Sequence, residues 1–234
     1  MTQRLSLADL RALAQDCLTR AGVPEAAAAA VAAEVAASEA ASERHFGMEA
    51  LLRDLRLIRY GRLKPDARSH LQLPRPALMR VDAAHGLAAA ALSDMAPRLA
   101  ELARTQGVAL LQLEQASNPG LMISAVSALA QAGLSAVAYG VDGAGRFAHP
   151  DLPGSAPMRH PPDDALAVLL AGRGQPADSP IGGMVAHGAW LLAADPAVAG
   201  DAVLRSAAQD YLPAPQPAHE IALTSELLEQ IVTA

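Results

Sequence analysis

Apolar residues recur with helical spacing over the first quarter of the chain. Ser6 is placed to cap a first helix, because its hydroxyl can accept a hydrogen bond from the backbone of Asp9. Pro24 suits the first turn of a second, alanine-rich helix. A stripe of leucines that begins at Leu51 marks a third helix. We therefore predict a helical N-terminal region over residues 1–65.

Beyond this region, short apolar runs alternate with helical patterns. Pro74 and Pro76 interrupt the first extended segment, which predicts an irregular or edge strand. A long helical pattern then precedes the apolar run VALLQLE, and a shorter one precedes SAVAYGV; GAWLLAAD is predicted to be the last strand. Helices that alternate with buried strands indicate a fold of the α/β class. We predict a mixed sheet with flanking helices over residues 66–221.

The segment 142–180 differs from its surroundings because it is rich in Gly, Pro and Asp. We predict irregular structure there, with one strand at ALAVLLAG. Pro196 is predicted to open a helix through AVAGDAVLRSAAQ, and PAPQPAHE to be a linker. A short closing helix follows, and we expect residues 222–234 to pack on the N-terminal region.

Composition and charge limit the classes of function. Hydrophobic residues make up 52% of the chain but aromatic residues only 3%, so Ala, Leu and Val must build the core. A net charge of −6 without a basic block argues against nucleic acid as a partner. Charged residues interrupt the apolar runs and the first ten positions, which argues against a membrane span and a secretion signal. The single cysteine, Cys17, fits a buried thiol in a cytoplasmic protein.

Motifs with specific chemistry are weak or missing. DGAG follows a predicted strand, but no helix begins after it, so a turn explains it better than a dinucleotide-binding loop. The seven histidines lack the three- or four-residue spacing of a helical metal site, and we expect no metal. The Gly-x-Ser-x-Gly pattern of serine hydrolases is absent.

The stretch ASERHFGMEA, residues 41–50, places charged and aromatic side chains between two plain helices. His45 is either an acid/base group of an active site or a histidine at a helix end. Downstream, arginines recur at three-residue spacing from Arg53. They form either a solvated helix face or, at one position, a contact to an anionic ligand.

Several segments of the chain resemble one family. LRALAQDCLTRAGVPEAAAAAVAAEVAASEA is similar to its opening helix pair, LLRDLRLIRYGRLKPDA to its helix that ends in Gly-x-[Ile/Leu]-[Asn/Lys]-Pro, and ARTQGVALLQLEQASNPG to its strand that ends in Ser-Asn-His-Phe-Gly. The family is the malate/L-lactate dehydrogenase type of NAD(P)-dependent oxidoreductases. The resemblance implies a non-Rossmann α/β fold, a homodimer, and hydride transfer between NAD(P) and a 2-hydroxy, 2-oxo or imino acid.

The resemblance also locates two positions of the reaction. Family members carry Asp-Ser-His-Gly, whose histidine is the acid/base partner in hydride transfer, and an arginine four residues later holds the substrate carboxylate. A gapless count back from Gly61 places Phe46 and Ala50 at these positions. A one-residue shift would instead place His45 and Glu49 there, and a glutamate would repel an anionic substrate. The histidine–arginine pair is broken in either alignment.

Other parts of the family pattern are also incomplete. Pro119 follows Asn118 where the family has its second histidine, and the cofactor-binding GG-x-KGYGLA helix has no counterpart. Hydride transfer to a carbonyl needs a bound nicotinamide and a proton source. The resemblance therefore implies NAD(P) if activity is retained, and otherwise we expect no cofactor.

These departures predict a degenerate member, a pseudoenzyme that keeps the fold and either binds a small carboxylic acid or serves a partner protein as a scaffold. In an alternative, the chain is an active 2-oxo or imino acid reductase. His45 or His85 would then be the relocated proton donor, and Arg53 or Arg146 would hold the substrate carboxylate. Asn118, at which the chain keeps the residue of the family pattern, would be a further substrate-binding residue.

A third hypothesis is an enzyme repurposed for non-redox acid/base chemistry. Glu43 and His45 would be its paired groups, which requires both side chains to face one pocket. Exposed side chains with divergent orientations would favour the degenerate member instead.

Overall fold

The computed structural model describes residues 2–117, 119–139, 145–151, 155–158, 189–199 and 220–234. In chain order its elements are β1 (Thr2–Ser6), α1 (Leu7–Arg20), α2 (Glu25–Ala40), a 3-10 turn (Arg44–Phe46), α3 (Met48–Arg59), β2 (His70–Arg75), β3 (Leu78–Gly86), α4 (Ala88–Gln106), β4 (Val108–Ala116), α5 (Ile123–Gln131), β5 (Ser135–Tyr139), β6 (Gly145–Ala148), β7 (Ser155–Met158), β8 (Ala189–Ala194), α6 (Pro196–Ala199), β9 (Glu220–Thr224) and α7 (Ser225–Thr233).

The first three helices form where the apolar spacing predicts them. The Ser6 hydroxyl accepts a hydrogen bond from the Asp9 N–H at 3.1 Å, so the predicted cap of α1 is confirmed. The apolar faces of α1, α2 and α3 join in one cluster, which we call the helical cluster. Its largest fully buried side chains are Leu10, Leu18, Met48 and Leu51. None of the described helices is both long and apolar enough to cross a membrane.

A two-stranded antiparallel ribbon, β1 with β9, joins the two ends of the chain, with Ser6 opposite Glu220. Each strand runs directly into a helix, and Leu228 and Ile231 of α7 belong to the helical cluster. The predicted linker is wrong at Glu220, which begins β9. The local sequence does not reveal this five-residue strand, because its partner strand lies at the other end of the chain.

Seven strands form the main sheet in the order β2-β3-β4-β8-β5-β6-β7. Strands β3 and β4 are parallel, because α4 connects them as a crossover, and the other described pairs are antiparallel. The predicted α/β fold with a mixed sheet is therefore confirmed. Helices α4 and α5 pack on one face of the sheet, over a second cluster that includes Leu99, Leu111 and Leu129. A smaller cluster around Val137 and Leu192 lies on the opposite face.

The predicted edge strand is confirmed: β2 lies at one edge of the main sheet and tolerates Pro74 at a register shift between Gln72 and Arg75. The rest of the proline-containing segment differs from the prediction, because it forms a second strand, β3, in a hairpin with β2. Within 142–180, the described residues form the short strands β6 and β7, which gain backbone hydrogen bonds by extending the sheet beyond β5. ALAVLLAG and the predicted helix beyond Ala199 lie outside the described residues.

Candidate active-site cleft

The polar stretch 41–50 makes a tight connection between α2 and α3. It contains the 3-10 turn Arg44–Phe46, after which α3 begins without a side-chain cap of its own. Glu39, buried near the end of α2, accepts a hydrogen bond from the Met48 N–H at 2.8 Å and replaces that cap. A Cβ on Gly47 would overlap the Glu39 side chain, which explains the glycine. Glu39 thus fixes the position of the turn.

Phe46 and Ala50 line a cavity of about 30 Å³ between α2, α3 and the loop that follows β4. We call it the Phe46 cavity. In the gapless alignment these two residues occupy the positions of the family histidine and arginine. Among the described residues, the polar side chains of the cavity are two buried carboxyls and one hydroxyl; they belong to Glu34, Asp54 and Ser117. Its other walls are mostly aliphatic, from Val31, Val35, Leu51 and Leu87 among others.

Glu34 connects α2 to the N-terminus of α5. Its two carboxylate oxygens accept backbone hydrogen bonds from Ile123 at 3.0 Å and from Ser124 at 2.8 Å. Burial raises the pKa of Glu34, while these hydrogen bonds and the nearby Arg146 lower it. Helix N-termini attract anions through such N–H groups. At α5, a carboxylate of the protein already fills that role.

Asp54 lies on α3 and is 7% exposed. The Ser117 hydroxyl hydrogen-bonds to its carboxyl and accepts a hydrogen bond from the Ala88 N–H, at the start of α4, at 3.1 Å. The hydroxyl proton is therefore directed to Asp54, since a hydroxyl has one proton to donate. Oδ1 of Asp54 has no hydrogen-bond partner among the described residues. Burial raises the pKa of Asp54 to about 7, against the lowering effects of Arg53 and Ser117.

Arg146, on β6, is a buried cation near Glu34. It is 4% exposed, and its Nε has no hydrogen-bond partner among the described residues. Burial lowers the pKa of Arg146, and Glu43 and Glu34 raise it. Arginine remains protonated at neutral pH because its ordinary pKa lies far above neutrality. Two glutamates of the chain therefore already balance this charge.

The two candidate histidines do not line the Phe46 cavity. His45 is exposed; its Nδ1 lies 3.6 Å from Oε2 of Glu49, and its ring meets Phe46 edge-on with centroids 5.3 Å apart. His85 is exposed in a bulge at the end of β3, where its φ is 64°. Glu43 is exposed like His45, and it does not line the Phe46 cavity either.

The candidate substrate-binding residues are placed differently. Arg53 is partly buried next to Asp54 on α3, and its Nη2 has no hydrogen-bond partner among the described residues. Arg146 lies near Glu34. Asn118 lies outside the described residues. The structure thus brings both arginines near the carboxyls of the cavity, but it does not bring either histidine there.

The two carboxyls that line the cavity were not among the site residues predicted from the sequence. Glu34 follows Val31 by three residues, and Asp54 follows Leu51 by three, so each lies within a buried helical stripe. A carboxyl in an apolar stripe was the available signal, because such a group is rarely buried without a specific role or partner.

Several N–H groups at the helix N-termini around this cavity already donate to side chains of the protein. Phosphates bind N–H groups that are free at the start of a helix. At α5, Glu34 accepts the hydrogen bonds of Ile123 and Ser124, and at α4, Ser117 accepts that of Ala88. In the part of the chain that the structure describes, no group of three or more His, Cys, Asp or Glu side chains could hold a metal ion.

The first part of the chain is similar in sequence to known proteins. A family model described as malate/L-lactate dehydrogenase matches residues 5–142. A Delta(1)-pyrroline-2-carboxylate reductase from Pseudomonas fluorescens is 32% identical over 134 residues, which cover 57% of this chain and 40% of that protein. The matched region is thus well under half the length of this curated relative.

The fold is similar to solved structures over almost the whole chain. A dehydrogenase from Sinorhizobium meliloti superposes with a TM-score of 0.73 at 16% identity, covering 100% of this chain and 99% of that one. A delta1-piperideine-2-carboxylate reductase from Pseudomonas syringae gives a TM-score of 0.69 at 16% identity, with 99% of both chains covered. At this identity the likeness establishes the fold, which is that of malate/L-lactate dehydrogenase-type enzymes.

Proposed function

This chain belongs to the malate/L-lactate dehydrogenase family, and we propose that it has lost hydride transfer to 2-oxo acids while keeping the Phe46 cavity as a ligand-binding site. The family comprises NAD(P)-dependent oxidoreductases, and the curated relative is a reductase. The match covers 40% of that relative.

The proposal depends on the ionisable groups of the Phe46 cavity, which are the carboxyls of Glu34 and Asp54. A 2-oxo acid carries a carboxylate of its own. Where a cavity carboxyl is ionised, two like charges about 4 Å apart repel each other by roughly 4 kcal/mol at an effective dielectric constant of about 20. Ala50, at the family arginine position, adds no positive charge to those of Arg53 and Arg146, which already lie near these carboxyls.

Proton supply at the cavity is altered as well. Reduction of a ketone leaves an alkoxide, which needs a proton donor within hydrogen-bonding distance. The phenyl ring of Phe46 cannot donate a proton, and the His45 imidazole is exposed on the protein surface. The structure therefore supports loss of the family's proton-donor arrangement.

We propose further that the chain does not bind a nicotinamide dinucleotide at this cavity. Three N–H groups at these helix starts support this: those of Ala88, Ile123 and Ser124 already donate to side chains of the protein and are not free for a phosphate. The small carboxylic acid expected from the resemblance is disfavoured by the same carboxyls that disfavour a 2-oxo acid.

Asp54 favours a second candidate, the NAD(P)-dependent reduction of a cyclic imino acid. Hydride transfer to a protonated imine neutralises a cation, so the reaction itself requires no proton at the transition state. A carboxylate near the nitrogen would stabilise that cation before the transfer. The curated relative reduces Delta(1)-pyrroline-2-carboxylate according to its name. In this candidate, Arg53 or Arg146 would hold the substrate carboxylate.

Steady-state assays of NADPH and NADH oxidation distinguish the candidates. We expect no oxidation above background with pyruvate or with Delta(1)-pyrroline-2-carboxylate. Turnover with the imino acid alone would support the second candidate, and turnover with pyruvate would contradict the loss of 2-oxo acid reduction. An Asp54→Asn variant purified in parallel is the control, because a contaminating host reductase would give the same rate in both preparations.

Two further proposals concern the molecule in the cell. The resemblance supports a homodimer, for which the solution mass would be twice the 24.0 kDa of the chain by light scattering. Cys17 is a free, buried thiol, which supports a reducing, cytoplasmic location; fractionation of cells would test it.

A further inference from the structure

We propose that the Phe46 cavity binds a small protonated amine, with the Asp54 carboxylate as its counter-ion. This inference rests on the proposed function, since it assigns a ligand to the cleft that 2-oxo acids no longer fit. It names the chemical class of that ligand.

Asp54 provides the unpartnered group that points to a ligand. Its side chain is more than nine-tenths buried, and Oδ1 has no hydrogen-bond partner among the described residues. Ser117 supplies one hydrogen bond to the carboxyl. A buried acceptor without a partner costs free energy. Asp54 lines the cavity, so a donor that reached Oδ1 from there would recover this cost. An alkylammonium group brings three N–H donors and no acceptor.

The other charged groups near Asp54 leave its Oδ1 available. Arg53 is adjacent on α3 and lowers the pKa of Asp54, but it does not hydrogen-bond to Oδ1. Glu34, from α2, is a second carboxyl in the same cavity; it is held by α5 and lies near Arg146. Ser117, at the end of β4, is neutral. A cation at the cavity therefore meets two carboxyls in its lining.

The uncharged walls also suit a small organic cation. Phe46 lines the cavity, and the face of an aromatic ring attracts cations by about 0.5–2 kcal/mol, depending on desolvation. Aliphatic side chains such as Val31 and Leu87 provide contacts for a methyl group. The cavity of about 30 Å³, against a minimum of roughly 10–15 Å³ for one water molecule on the same scale, limits the ligand to very few atoms. Methylammonium is the smallest alkylammonium and is therefore the probe.

Binding of the amine must depend on pH in a defined direction. Asp54 has a pKa of about 7, and the amine pairs with its ionised form. An alkylammonium stays protonated over this range because its pKa is about 10. The affinity should therefore rise as the pH increases from about 6 to about 8, with release of a proton on binding.

Backbone amide NMR shifts in the full chain, titrated with methylammonium chloride at about pH 8, test this inference. We expect saturable shifts around Ser117 and Phe46, with a Kd in the millimolar range, about 1–30 mM. Sodium chloride at matched ionic strength is the control salt. In Asp54→Asn we expect affinity to fall about tenfold or more, since the variant loses a charge-assisted hydrogen bond. In Asp66→Asn, a change at an exposed carboxyl, we expect unchanged affinity.

The outcomes separate this inference from the loss of 2-oxo acid reduction. Absence of saturation up to about 100 mM would overturn the amine site. Equal affinity in the parent and in Asp54→Asn would also overturn it. If Asp54→Asn does not fold, Phe46→Leu is the replacement variant, and loss of the aromatic ring should weaken binding about twofold or more. The site would be overturned if Phe46→Leu binds methylammonium as tightly as the parent and the parent binds it equally well at about pH 6 and about pH 8. Pyruvate turnover, measured separately, bears on the proposed function and leaves the amine titration unaffected.

Discussion

At the scale of single residues, Asp54 links the chemistry of the Phe46 cavity to the stability of the fold. Burial raises its pKa from 3.8 to about 7. Between these values Asp54 holds a proton in the folded chain and releases it in the unfolded chain. The contribution of Asp54 to stability is therefore greatest below about pH 4 and falls as the pH rises to about 7. A shift of about three pKa units corresponds to a loss of about 4 kcal/mol.

Replacement of Asp54 by Asn removes this titration while keeping an oxygen that can accept a hydrogen bond from Ser117. We therefore expect the stability of Asp54→Asn, relative to the parent, to rise by about 3 kcal/mol between about pH 5 and about pH 8. Urea denaturation at the two pH values measures this difference.

Asp66→Asn is the matched control, because Asp66 is exposed, and its stability should follow that of the parent at both pH values. If Asp54→Asn also follows the parent, the ionisation of Asp54 does not oppose folding. The buried carboxyls of Glu34 and Glu39 are present in all three proteins, so they cancel in the comparison.

Of the residues that line the Phe46 cavity, the sequence identifies the two at the family's histidine and arginine positions but not the buried carboxyls. Phe46 and Ala50 can be located by counting from Gly61, and both line the cavity. Glu34 and Asp54 could not be assigned to it, because helical spacing shows that a residue shares a buried stripe but not which element covers that stripe. Glu34 reaches α5, about 90 residues later, and this contact exists only in the folded chain.

At the scale of elements, each strand of the β1–β9 ribbon leads into a helix, and a side-chain hydroxyl caps the N-terminus of both helices. Ser6 accepts a hydrogen bond from the Asp9 N–H at the start of α1, and Thr224 accepts one from the Leu227 N–H at the start of α7. The first cap is recognisable in the sequence because a long apolar pattern follows it. The two strands that precede these caps cannot be recognised in the sequence, because each pairs over five residues with a segment far away in the chain.

Loss of either hydroxyl should weaken the corresponding helix start. We expect Ser6→Ala and Thr224→Ala each to lower the free energy of unfolding by about 1 kcal/mol, because a backbone N–H loses its acceptor. Ser6→Asp keeps an acceptor at the cap and should stay within about 0.5 kcal/mol of the parent. Thermal and urea denaturation of the three variants would check this, and an unchanged Ser6→Ala would show that water replaces the cap without cost.

At the scale of the whole molecule, the Phe46 cavity lies where the helical cluster meets the helices of the main sheet. Leu51 and Leu87 in its wall belong to the helical cluster, while Glu34 binds the N-terminus of α5, which covers the sheet. A ligand in the cavity would therefore contact both parts of the fold. The α/β class could be predicted from the alternation of helices and strands in the sequence. The junction could not, because it depends on contacts between residues far apart in sequence.

The central claim is that this fold of NAD(P)-dependent oxidoreductases no longer supports the family's hydride transfer in this chain. A fluorescence titration of the purified chain with NADPH, repeated with NADH, tests it most directly. We predict no saturable change up to about 1 mM cofactor, because the N–H groups of Ala88, Ile123 and Ser124 at the cavity already donate to side chains of the protein. Saturable binding in the micromolar range, about 1–50 µM, would contradict the claim and favour an active imino acid reductase.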